Sequence, residues 1–128
     1  MLMTVPTNKS VSDAAAALQA AVEAHQFGVM QVHNLKETMA KKGVSLDHEC
    51  LIFEVCQPRQ AKRVLDAHMS VSTALPCRIS VYDEGGRTVL AALKPTALLA
   101  VFGAPELASV AQEVETTILA IMHDAASR

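Results

Sequence analysis

Apolar residues recur along this chain with two periods, and each switch between them marks a new element. Val11, Ala14, Leu18 and Val22, continued by His25, fall on one helical stripe. Ser10 followed by Asp13 gives that helix a start resembling a capping box, with Asp in place of the usual Glu, and Gly28 ends the turn beyond it. Val29 to His33 then alternates as a strand, which sends Met30 and Val32 to the core and Gln31 and His33 away from it. Asn34 with Glu37 caps a short second helix that Gly43 stops. A strand is expected from about Glu49 to Cys56. Pro58 then opens a helix carrying Ala61, Val64, Leu65 and His68.

Cys77 to Tyr82 and Thr88 to Lys94 read as two strands, joined by the hairpin signal Asp83-Glu84-Gly85-Gly86-Arg87. Pro95 opens a short helical piece ending at Gly103. Pro105 opens the last helix, with Leu107, Val110, Val114, Ile118, Ile121 and Met122 along one face. Leu2 to Pro6 adds an edge strand. Some strands follow one another directly while others are separated by helices, which predicts an α+β fold rather than a parallel doubly wound sheet. No repeat or linker divides the chain, and its 128 residues suit a single domain.

Strand parity predicts which side chains share a face. Leu51, Phe53 and Val55 belong to the core, so Cys50, Ile52, Glu54 and Cys56 point away. Cys77, Ile79 and Val81 point inward, leaving Arg78, Ser80 and Tyr82 outside. With Gln31 and His33, these outward residues define one polar sheet face, while every helical stripe can be buried against the other. Such a face is open to a ligand, a metal or a second subunit.

The two cysteine-bearing segments Phe53-Glu54-Val55-Cys56-Gln57-Pro58 and Leu75-Pro76-Cys77-Arg78-Ile79-Ser80-Val81-Tyr82 each join a strand-like run to one cysteine and one proline. Together with Gly28-Val29, His33-Asn34-Leu35 and Lys42-Gly43-Val44, the chain resembles the bacterial and archaeal family called "domain of unknown function 302", over roughly residues 8 to 100. The likeness fades after about Phe102, so the last helix rests on periodicity alone. The resemblance implies a mainly antiparallel sheet with helices packed on one side, similar to the TATA-binding-protein-like topology. It implies a suspected site at Glu54, Cys56, Pro58, Leu75, Pro76, Cys77 and Tyr82, but no catalytic roles.

Composition narrows the function classes. The chain is 51% hydrophobic but only 3% aromatic, without Trp, and its net charge is −2. It therefore lacks both the positive field and the stacking platforms of a nucleic-acid binder, and no nucleic-acid or membrane partner is expected. The opening Met1-Leu2-Met3-Thr4-Val5-Pro6 has neither the basic nor the long apolar region of a signal peptide, and a cytoplasmic location is expected. Three cysteines without a CxxC are expected as free thiols in a reducing compartment.

Three chemistries compete for the polar face. Glu54 and Arg78, on neighbouring strands, form either a cross-strand ion pair or a ligand-binding pair flanked by His33, Cys56 and Tyr82. A metal site would take His33, Cys56 and Cys77 as ligands, with Glu54 or Cys50 in support, since imidazole plus thiolate suits zinc or copper. A thiol enzyme would need Cys56 or Cys77 activated by His33, and Cys56 lies just before a helix N-terminus, where the dipole favours thiolate. Simple alternation places Cys56 and Cys77 on opposite faces, and only a bulge or twist would let them meet, as a disulfide or as two ligands. No nucleophile elbow, phosphate loop or paired-carboxylate motif supports catalysis. The reading that results is a homodimeric module binding a small molecule or transition metal on its open sheet face, with a thiol-dependent or metal- or haem-dependent redox role and a pure assembly domain as its alternatives.

Overall fold

The computed structural model describes residues 1–128. Its elements run in the order β1 (Leu2–Thr7), α1 (Val11–Ala24), β2 (Gly28–Asn34), α2 (Leu35–Lys41), β3 (Cys50–Cys56), α3 (Pro58–Ala67), β4 (Cys77–Glu84), β5 (Arg87–Leu93), α4 (Pro95–Ala100) and α5 (Ala108–Ser127). Short 3-10 turns precede β4 (Met69–Ala74) and α5 (Pro105–Leu107). The five strands form one sheet in the order β1-β5-β4-β3-β2, antiparallel throughout. A strand and a helix thus precede a four-strand meander and a closing helix, the α+β arrangement expected from the pattern.

Local chemistry accounts for most boundaries. Ser10 accepts from the Asp13 amide at 3.0 Å and starts α1; Asn34 does the same for Glu37 at 3.0 Å and starts α2. Pro58 and Pro95 sit in the first turns of α3 and α4, where a missing amide proton costs nothing. Gly85 and Gly86 take the positive φ values, 58° and 77°, that the β4–β5 turn demands. Pro6 is tolerated because β1 is an edge strand.

The helices α1 and α5 lie across one face of the sheet and bury Leu18, Val22, Ile118, Ile121 and Met122 against Phe53, Val55, Ile79, Val81 and Leu90. A second, smaller core of Val64, Val71, Leu99, Leu107, Val110 and Ala111 joins α3, α4 and the 3-10 turns to the first half of α5. The helical layer therefore has two parts, with a seam between them at the Cys56/Cys77 end of the sheet. The short helix α2 behaves differently: it buries no residue, and its Leu35 and Met39 lie beside Cys50 and Tyr82 at the far end of the opposite face.

Parity fails first on β2. A β-bulge between Val29 and Gln31 places Val29 opposite Val55 and Gln31 opposite Glu54, with Met30 as the extra residue. Met30 is consequently 64% exposed and is not a core residue. Val32 does sit opposite Phe53, but as part of an edge strand it is 42% exposed and is not a core residue either. The bulge leaves Gln31 and His33 on the open face, where alternation put them.

A tertiary contact caps α4, whose N-cap residue, Lys94, offers no side-chain cap. Glu115 of α5 accepts hydrogen bonds from the Thr96 amide at 3.1 Å and from the Thr96 hydroxyl. The hydroxyl bond does most to hold the Glu115 carboxyl below its usual range, with burial opposing it and the amide bond assisting. Glu115→Ala should cost about 1 kcal/mol near pH 7, by analogy with lost N-caps. A depressed folded-state value means that this stability exists above the ordinary carboxylate pKa and disappears as pH falls through the lower folded one. Urea midpoints of the two proteins should therefore converge in acid; a gap that persisted there would contradict this account.

Candidate functional site

The open face is built by the outward residues of all five strands. Register sets Glu54 opposite Arg78 on one side and Gln31 on the other, with Ile52 between Ser80 and His33. Further across, Ala91 lies opposite Ser80 and Thr4, and Val89 opposite Tyr82 and Pro6. The face thus divides into a polar half on β2, β3 and β4 and a more apolar half on β5 and β1, ending at Leu93 and Leu2.

Glu54 is the centre of the polar half. Its Oε1 lies 3.4 Å from His33 Nε2 and its Oε2 lies 3.7 Å from Arg78 Nε. Neither contact makes a hydrogen bond, although the carboxylate side chain is only 18% exposed. Arg78 is 64% exposed, so most of its guanidinium donors face solvent. The site thus holds a confined carboxylate with spare acceptor capacity between an imidazole and a cation with spare donors. That suits recognition of a small polar group better than it suits tight mutual pairing.

The remaining candidates go elsewhere. Tyr82 stands four residues from Arg78 on β4, roughly 13 Å along the strand, and lines a separate groove with Leu35, Met39 and Leu46. Cys56 lies opposite Gly28 at the end of β3, while His33 lies opposite Ile52, four residues further up that strand. The ligand set His33, Cys56 and Cys77 is therefore not brought together, and no three His, Cys, Asp or Glu side chains converge as a metal-holding group. All three cysteines are free thiols.

Cys56 and Cys77 do meet in one place. Both line a cavity of about 50 Å³ in the seam between the sheet end and α3, α4 and α5. Cys77 points inward as alternation requires, and Cys56, the last residue of β3, departs from the alternation where the ladder ends. Burial pushes the Cys56 thiol up, opposite in direction to the lowering expected from the start of α3 two residues later. Burial, and after it the neighbouring Cys56, pushes the Cys77 thiol up to about 11. Burial and then the Asp83 charge also push Cys50 up. None of the three is poised as a nucleophile.

This arrangement of strands and helices has close counterparts. The profile of the family described as "Domain of unknown function DUF302" matches residues 3–125. The chain belongs to this family. The match runs through α5 and so extends beyond the segment legible from the motifs. The crystal structure of an uncharacterized conserved DUF302 protein from Bacillus stearothermophilus is similar over 97% of both chains, with a TM-score of 0.93 and 29% sequence identity. No curated protein matches.

In this DUF302 domain the seam-lining side chains that the sequence did not single out include Gln57 and Gln60. Gln57 caps α3 by accepting from the Gln60 amide at 2.8 Å, a task usually given to Ser, Thr, Asp or Asn. Gln60 itself, one turn on, places its side-chain oxygen in a buried position without a hydrogen-bond partner. The proline in Cys56-Gln57-Pro58 signalled the helix start, but nothing local signalled a cavity behind it. No helix of the domain is long and apolar enough to cross a membrane.

Proposed function

We propose that this DUF302 domain is a non-enzymatic, homodimeric binding module that holds a small ligand on the polar half of its open sheet face. The observation that carries the reading is the confined Glu54 carboxylate, 3.4 Å from His33 and 3.7 Å from Arg78 and hydrogen-bonded to neither. The matching ligand offers a hydrogen-bond donor to Glu54 and an anionic or strongly accepting group to the free fork of Arg78. His33 forms the rim. The raised thiol values of Cys50, Cys56 and Cys77 support binding over thiol catalysis.

A second copy of the chain is the natural cover for the apolar half. Leu2 is 57% exposed and Leu93 45% exposed at paired positions, and half-buried Val89 lies further along the same face of β5, beyond the already buried Ala91. A two-fold contact there would bury this strip and leave the Glu54 site at the seam between protomers.

Native mass spectrometry of untagged protein, purified without chelator, tests both parts. A dimer is expected at micromolar concentration, reduced to monomer by Leu93→Glu. An adduct is expected that leaves on denaturation and is absent from Glu54→Ala and Arg78→Ala, while both variants stay folded by circular dichroism. A clean monomer would remove the dimer, and an adduct retained by both variants would remove the site.

A further inference from the structure

A groove lies at the end of the sheet that carries the β4–β5 turn, on the helical side where α1 begins. Here β1, β5 and β4 run side by side, with Thr88 opposite Thr7 on one flank and Asp83 on the other. Thr7 donates to the Ala126 carbonyl at 2.9 Å. Thr88, equally buried with 7% exposure, has no such partner. Its hydroxyl is not sealed either, because Gln60 Oε1 is the one side-chain polar atom that lacks both a partner and access to solvent. Thr88 lines the groove, so its hydroxyl opens there. A mostly buried hydroxyl left free at the floor of a groove calls for a partner from outside the chain.

The walls of the groove carry opposite charge. Val11 and Ser12 open α1 on one side, and their amides have no acceptor within the protein. Exposed Arg87 adds a cation without an ion-pair partner. On the other side Asp83 uses only Oδ1, for the Glu49 amide at 3.0 Å and for His48 at 3.3 Å, so Oδ2 is uncommitted. Glu49 holds Lys36 through Oε1 alone, at 3.2 Å. A simple anion or cation would face one wall of its own sign, whereas a zwitterion meets both. From this we infer that the groove binds a free aliphatic α-amino acid. Its carboxylate lies on the Val11 and Ser12 amides and Arg87, its ammonium on Asp83, and the Thr88 hydroxyl donates to the first and accepts from the second. The dimensions agree. β1 and β4 are two strand spacings apart, about 10 Å. The nitrogen and the carboxylate oxygens of an α-amino acid are roughly 3 Å apart, and a hydrogen bond of about 2.9 Å at each end brings the span to roughly 9 Å. Val11, Ala15 and Leu51 supply apolar surface for the side chain. The groove measures about 620 Å³, within the roughly 300–1,000 Å³ of small-molecule sites. This site does not depend on the Glu54 reading, and either can fail alone.

The test is an NMR titration of amide resonances with L-leucine, with leucinamide, which keeps only the ammonium, and with isocaproate, which keeps only the carboxylate. Saturable shifts at Val11, Ser12, Gly86 and Thr88 are expected with L-leucine. Each half-charged analogue should bind at least about tenfold more weakly, the value of one charge-assisted contact. Thr88→Val, which keeps the shape and removes the hydroxyl, should weaken L-leucine binding about fivefold. Asp83→Asn should remove the preference for L-leucine over isocaproate, and Glu54→Ala should leave L-leucine binding unchanged. Absent or unsaturable shifts, equal binding of the three probes, or an affinity unchanged in Thr88→Val would each overturn the proposal and leave a groove filled by water alone. Shifts centred on Gln31 and Glu54 would overturn it too, and would move the amino acid to the open face. Should Thr88→Val fail to fold, the three probes on the natural chain still decide.

Discussion

Replacing Ile79 by alanine is expected to lower the stability of this domain by about 3–4 kcal/mol, in the range found for large-to-small changes in well-packed cores. Ile79 is fully buried, lies opposite Phe53 in the β3–β4 ladder, and belongs to the core shared by the sheet, α1 and α5. Its two neighbours on β4 are Arg78 and Ser80, both on the open face. The same strand therefore carries the centre of the core and the rim of the candidate site. Rigid elements on both sides leave little room for collapse, which puts the cost well above that of lost transfer energy alone. Urea unfolding should show a lower midpoint with an unchanged slope. Arg78→Ala, one residue away but largely exposed, should change stability by no more than about 1 kcal/mol. Equal effects of the two substitutions would mean that β4 does not divide core from surface as described.

The second large effect belongs to Cys77 in alkali. Its thiol ionises in the folded state near 11 against an ordinary 9.0, chiefly because burial penalises the thiolate. A raised folded-state value means that the unfolded chain loses its proton first as pH rises. Stability is therefore intact below the ordinary value of 9.0 and falls as pH climbs toward about 11. Two units correspond to about 3 kcal/mol. Other groups titrate in the same window, so the quantity to read is the difference between the natural chain and Cys77→Ala. That difference should shift by about 2 kcal/mol between pH 9 and 11 against the natural chain and approach the full ~3 kcal/mol only above that range. Alkylation gives an independent check. Near pH 8 the folded Cys77 should react roughly a hundredfold more slowly than the same residue in urea, following its thiolate fraction. Rapid labelling of folded Cys77 would show that the seam is open to water and would remove the basis of the pH effect.

Much of the polar face was legible before any coordinates, and the reason is geometric. A strand has a side-chain period of two, so once Phe53, Val55, Ile79 and Val81 are assigned to the core, the facing of Glu54 and Arg78 has no freedom left. Their direct opposition across β3 and β4 and the approach of His33 are set by the strand register, which the structure supplies and parity does not. The reading failed where period two fails. The bulge at Met30 inserts a residue that no alternation anticipates, and Cys56, at the last position of its strand, is no longer held by a ladder on both sides. Parity also says nothing of distance along a strand. It assigned Tyr82 to the correct face but could not separate it from Arg78, and it joined His33 to two thiols that lie at the other end of β3.

The sequence by itself determined the order and type of the main elements, the α+β class, the identity of the helical and open sheet faces and the outward facing of Glu54 and Arg78. Each of these depends on neighbours a few residues apart or on one period carried along an element. Only the tertiary structure decided that α3 and α4 form a second core with α5, that Glu115 caps a helix nineteen residues back in the chain, and that Cys56, Cys77 and Gln60 line one cavity. Those features arise where separate elements meet. Their energies come from desolvation and packing between residues distant in the chain, for which no local pattern carries a signal.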